Sequence, residues 1–90
     1  MNSPQKYYKE IGERYLGNAG VEMNPALRVQ QLEHALEAYS KLAVFEESPE
    51  TAELLFEIRQ CREESTVPRK DICDIMERHG IGTKSLCLVR

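Results

Sequence analysis

Apolar residues recur every three or four positions along this chain, in four runs separated by short polar or glycine-bearing breaks. That period is helical. The first run places Tyr7, Tyr8, Ile11, Tyr15 and Leu16 on one stripe and predicts a helix over about 4–16, stopped by Gly17 and Gly20. Residues 18–23 read as a loop. In the second run Val29, Leu32, Leu36, Tyr39 and Ala43 step along one face, with Gln30, Glu33, Glu37 and Lys41 opposite. It predicts the longest helix, about 25–46, whose consecutive Leu42, Ala43, Val44 and Phe45 widen its apolar side enough to touch two neighbours. A third helix is expected over about 49–64 on Leu54, Leu55, Ile58 and Cys61, and a fourth over about 69–79 on Ile72, Ile75 and Met76, stopped by Gly80. For the last stretch, 81–90, the pattern leaves both a docked tail and a frayed end open.

Proline punctuates the same boundaries. Ser3-Pro4, Asn24-Pro25 and Ser48-Pro49 each put a capping side chain ahead of a residue that suits the first helical turn, and Pro68 precedes the fourth pattern. The expected fold is therefore all-α, one domain over 1–90, with about four helices. A central antiparallel hairpin of the second and third, joined by a very short loop, is flanked by the first and fourth. Its expected core is Tyr8, Ile11, Tyr15, Val29, Leu32, Leu36, Tyr39, Leu55, Ile58 and Ile75.

Composition narrows the function more than it defines it. Apolar residues make 41% and charged ones 30%, which suits a folded helical domain and excludes disorder. No apolar run reaches the length of a membrane span and no leader-like stretch opens the chain. The three cysteines, Cys61, Cys73 and Cys87, have no paired spacing and read as free buried thiols, so a cytoplasmic location is expected. The net charge of −3 is uneven: 1–65 carry twelve acids against seven bases, 66–90 three against five. Arg69, Lys70, Arg78 and Lys84 are the candidate phosphate contacts, on a stretch (72–86) with the rhythm of a helix-turn-helix. Met76, however, stands where a close helix crossing wants a small side chain.

No catalytic pattern is present: the chain has no nucleophile elbow, no His-Glu-x-x-His pair and no Gly-rich phosphate loop. His34 and His79 lack ligand-spaced companions, and Cys73, His79 and Cys87 fit no zinc spacing, so neither metal nor cofactor is expected. His79 reads as a cation partner for the end of its helix. Cys87-Leu88-Val89-Arg90 has the outline of a prenylation box but ends on Arg, and chance accounts for it.

Tyr8-x2-Ile11-Gly12-x2-Tyr15 and Ala35-x3-Tyr39, with Pro49 beyond them, resemble the tetratricopeptide repeat over about half the chain. The resemblance implies a helical hairpin whose first helix lines a peptide groove, with Lys6, Lys9, Glu13 and Leu16 at the groove-facing positions. The reading that results is a small non-enzymatic protein–protein interaction module (adaptor, chaperone-like partner or regulator), self-associating as a homodimer. The alternative is a nucleic-acid-associated regulator working through the basic C-terminal segment.

Overall fold

Three of the four described helices open where proline and its capping neighbour place them. Ser3 Oγ accepts from the Lys6 amide, Asn24 Oδ1 from those of Ala26 and Leu27, and Ser48 Oγ from that of Thr51. A computed structural model describes residues 3–64 and 67–81. Among them run α1 (Pro4–Val21), α2 (Pro25–Phe45), α3 (Pro49–Glu63) and α4 (Arg69–Arg78), an all-α arrangement without strands. Pro68 is itself the residue ahead of α4 and supplies no side-chain cap. Gly80 ends α4 as expected. At φ +66° it takes the left-handed turn, so the Ile81 amide reaches the Met76 carbonyl and its own amide that of Glu77. The C-terminal stretch beyond Ile81 lies outside the described residues.

Three-residue links at 22–24 and 46–48 make α1–α2 and α2–α3 antiparallel neighbours, and α4 closes the ring by packing on both α1 and α3. The most extensive pairing is α1 with α2, the next α2 with α3. α1 runs a full turn beyond the expected 4–16. Gly17 and Gly20 lie inside it, buried with Ala19. Packing overrides glycine's weak helix propensity here, because the extra turn lies against Ile72, Cys73 and Met76 of α4.

The core comprises Leu16, Ala19, Leu32, Ala35, Tyr39, Leu42, Leu54, Leu55, Ile58, Cys61, Val67, Ile72, Ile75, Met76 and Ile81. Of the expected core, Leu32, Tyr39, Leu55, Ile58 and Ile75 are buried. Tyr8, Tyr15, Val29 and Leu36 pack only partly against it, and Ile11 is half-buried. The cause is a rotation of α1. Gly12, Leu16 and Ala19 face inward rather than the bulkier Tyr8, Ile11 and Tyr15, one residue and about 100° away. Gly12 meets the Tyr39 ring so closely that a Cβ there would lie 2.7 Å from its Cζ. This contact joins two positions of the repeat-like pattern.

At the end where α1 and α3 finish, Arg28 is buried and ties two links together. Its Nε donates to the Glu22 carbonyl (3.0 Å), Nη2 to that of Met23 (3.2 Å) and Nη1 to that of Val67 (2.8 Å). Val67 is a β-branched residue at φ +42° with its side chain wholly buried. Such a backbone costs about 1–3 kcal/mol and persists only when its surroundings hold it.

Candidate functional site

At the opposite end, where α1 and α3 start and α2 and α4 finish, the bundle is open. A cavity of about 340 Å³ lies among all four helices, floored by Leu42, Leu54 and Ile81. Tyr39 borders it from α2, and its hydroxyl is sealed from solvent and makes no hydrogen bond. Burial first, then the nearby Glu13 carboxylate, raises its pKa, so the phenol keeps its proton at any physiological pH.

Charge around this cavity is unbalanced. Glu13, Glu46 and Glu50 line it, and among the described residues Lys9 is its one cation without a carboxylate partner. Arg78 and His79 also reach it, but both pair with Glu57 of α3: Arg78 Nε donates to its Oε1 (2.8 Å) and His79 Nε2 meets its Oε2. Burial lifts the Glu57 carboxyl, yet hydrogen bonds from His79 and Arg78, together with their charges, outweigh it and hold its pKa below the ordinary value. His79 thus serves a cross-helix pair, beyond the helix-end role its position suggests. The cap of α3 is self-contained, since Ser48 Oγ also donates to Thr51 Oγ1 (2.9 Å).

Around the corner, the outer face of α1–α2 carries aromatic side chains that the rotation of α1 leaves outside. Tyr8 stacks on Phe45 (centroids 5.9 Å apart, planes at 15°), Tyr7 meets Tyr8 edge-on at 5.3 Å, and Lys41 Nζ lies 5.8 Å from the Tyr8 ring centre. Gln5 Nε2 donates to the Phe45 carbonyl and ties the start of α1 to the end of α2. Beyond them Tyr15 leans on His34. Tyr7, Tyr8, Tyr15, His34 and Lys41 line a shallow groove of about 280 Å³. Val44, 78% exposed, and Phe45 and Tyr7, each at least half exposed, leave apolar surface in water.

Of the groove positions implied by the repeat resemblance, Lys6 and Lys9 are exposed and Glu13 half-buried, while Leu16 is fully buried in the core. Lys9 and Glu13 line the cavity, not the aromatic groove. The candidate phosphate contacts do not form one patch. Arg69 Nε donates to the Gly20 carbonyl (3.0 Å) at one end of α4, Arg78 pairs with Glu57 at the other, and Lys70 is exposed. Lys84 and the second half of the helix-turn-helix-like stretch lie outside the described residues.

The cysteines depart from three free thiols. Cys61 is free and buried, but Cys73 is disulfide-bonded. This removes the support that free thiols gave to a reducing location. Burial, with Asp71 and Glu64 adding, pushes the Cys61 thiol up to about 11, which makes it a poor nucleophile. Among the described residues no group of His, Cys, Asp and Glu could hold a metal ion, and no helix is long and apolar enough to cross a membrane.

Arg28 and the Tyr39 hydroxyl were not picked out by sequence patterning. Arg28 reaches one carbonyl, that of Val67, 39 residues away, and nothing in the pattern marks a hydroxyl left without a partner; only Asn24-Pro25 just ahead of Arg28 hinted that it sits in a first turn. No protein-family model, no curated protein and no solved structure matches this chain.

Proposed function

We propose that this chain is a small non-enzymatic protein–protein interaction module, of the adaptor, chaperone-like or regulatory kind, that self-associates through the outer face of α1–α2. One observation carries the reading: Tyr7, Tyr8, Val44 and Phe45 form an apolar, partly stacked surface that the bundle itself leaves uncovered. Aromatic clusters of this kind supply the anchors of protein interfaces. The close contact of Gly12 with Tyr39 is also what a repeat-like hairpin would use, which adds to the resemblance on which a peptide-binding role rests. The nucleic-acid alternative draws less support, because Arg69 and Arg78 already serve partners within the bundle and the body of the chain is acidic.

Sedimentation velocity over a rising concentration series tests the proposal. A reversible dimer is expected, and Val44→Glu combined with Phe45→Glu should return it to monomer with the helical circular dichroism unchanged. A monomer of the unaltered chain at high micromolar concentration would overturn it. Tight, salt-sensitive binding to duplex DNA or RNA, lost in Arg78→Ala, would favour the alternative.

A further inference from the structure

The sulfur-bearing side chains of this protein differ in what can reach them. Met76 is 1% exposed, inside the core. Cys61 is buried too, and that burial, with Asp71 and Glu64 adding, keeps its thiol protonated and unreactive. Cys73 is already in a disulfide. Met23, in the link between α1 and α2, is 71% exposed. Among the described residues it is therefore the one sulfur that a dissolved oxidant meets freely.

Its neighbours hold it in place. The Met23 carbonyl accepts from Arg28 Nη2 (3.2 Å), which fixes the backbone of the link. Its Sδ accepts from Arg69 Nη1 at 3.0 Å, from a residue 46 positions along the chain. Arg69 is the first residue of α4, and its Nε donates to the Gly20 carbonyl in the last turn of α1 (3.0 Å). One guanidinium thus spans the end of α1, the link and the start of α4. The sulfur is the weak member of this set, because a thioether is a poor acceptor. Pro68, for its part, gives the start of α4 no side-chain cap.

We propose that Met23 is an oxidation site whose sulfoxide is held by Arg69, so that a hydroperoxide tightens the attachment of α4 to the α1–α2 link. The Sδ lone pair attacks the outer peroxide oxygen and the O–O bond breaks. The proton passes to the departing oxygen, which leaves as water or an alcohol. Sulfur gives up two electrons and the peroxide takes them. The new oxygen accepts from the guanidinium in a charge-assisted hydrogen bond, stronger than the one sulfur makes. Oxidation costs the fold little here, since an exposed thioether has little apolar burial to lose. At Met76 the same change would place a polar group in the core.

The experiment treats the full chain, carrying methionine labelled with ¹³C in its methyl group, with tert-butyl hydroperoxide and follows it by NMR. The Met23 methyl signal should move to the sulfoxide position at least about tenfold faster than that of Met76, as their exposures require. In the product the Arg69 Nε–H resonance should shift, and hydrogen exchange at the Ile72 amide should slow about threefold, the lower range of one net hydrogen bond. Met23→Gln, whose amide oxygen is a permanent acceptor, should slow Ile72 similarly without peroxide, and Met23→Leu should show no change with it. In Arg69→Ala, Met23 should still oxidise, with no slowing at Ile72. Oxidation of Met76 at a comparable rate, unchanged or faster exchange at Ile72 after oxidation, or the same slowing in Arg69→Ala would each overturn the proposal. Self-association does not enter, because Val44 and Phe45 lie at the far end of α2 and sedimentation reads the dimer separately.

Discussion

The two ends of this bundle handle buried polar groups in opposite ways. At one end the Arg28 guanidinium enters the interior and finds the carbonyls of Glu22, Met23 and Val67 waiting. At the other, the Tyr39 hydroxyl is as well buried and finds none, near a cavity whose carboxylates outnumber the unpaired cations among the described residues. The first end is finished by the chain alone. The second leaves its buried hydroxyl without that closure. A buried donor with every partner in place rigidifies a structure, whereas an orphaned one lowers its stability.

Perturbations ranked by size can break or sharpen that contrast. The largest should fall on the layer both ends share: Leu32→Ala, at a wholly buried position, is expected to cost about 4 kcal/mol in denaturant unfolding. Leu36→Ala, on the half-buried outer side, should cost clearly less, and equal losses would mean that the face assigned to α2 is wrong. Arg28→Ala strips donors from three carbonyls and should cost about 3 kcal/mol by the same measurement. A negligible change there would dissolve the distinction between a finished and an unfinished end.

A smaller effect is expected from Gly12→Ala. The new Cβ would lie 2.7–3.0 Å from three ring atoms of Tyr39, so the ring or α1 must shift. Overpacking of this kind should cost about 2 kcal/mol, less the gain from alanine's better helix propensity. Its melting temperature should rise back in Gly12→Ala combined with Tyr39→Leu if the clash is the cause.

The smallest effect is pH-dependent. The Glu57 carboxyl has a folded-state pKa below its unfolded one, so its contribution is present above the ordinary glutamate value of about 4.3 and fades as pH falls through the lowered folded value. For a pair this near the surface the loss should be about 0.5 kcal/mol. Thermal melts from neutral pH down to about pH 3 should therefore show a slightly steeper acid decline in the unaltered chain than in Glu57→Gln. Parallel curves would remove Glu57 from the account.

Helix starts were legible because proline and its capping neighbours act locally: Ser3, Asn24 and Ser48 each bond amides two or three residues on. The buried face of α1 was not. Hydrophobic patterning weights Tyr8, Ile11 and Tyr15 above Gly12, Leu16 and Ala19, yet close helix approach favours the small residues. The same weighting put Tyr8 and Tyr15 in the core, while the groove position of Leu16 came from the repeat resemblance. Of the cavity, Lys9 and Glu13 were reached through the repeat resemblance, while Tyr39 was read as core, which it is, with no sign of its orphaned hydroxyl. The disulfide at Cys73 had no spacing to announce it.

The Arg28 contacts also give the bundle a direction in which to loosen. Because one side chain holds both the 22–24 link and Val67, freeing the start of α4 means giving up those hydrogen bonds together with the burial that keeps Val67 at its unfavourable φ. The finish of α4 is held to α3 by the Glu57 pairs with Arg78 and His79, a weaker clasp. Native-state hydrogen exchange should accordingly be quicker at the amides of His79, Gly80 and Ile81 than at Ile72. Opening of α4 from its last turn would then act first on the cavity, which Arg78, His79 and Ile81 help to line.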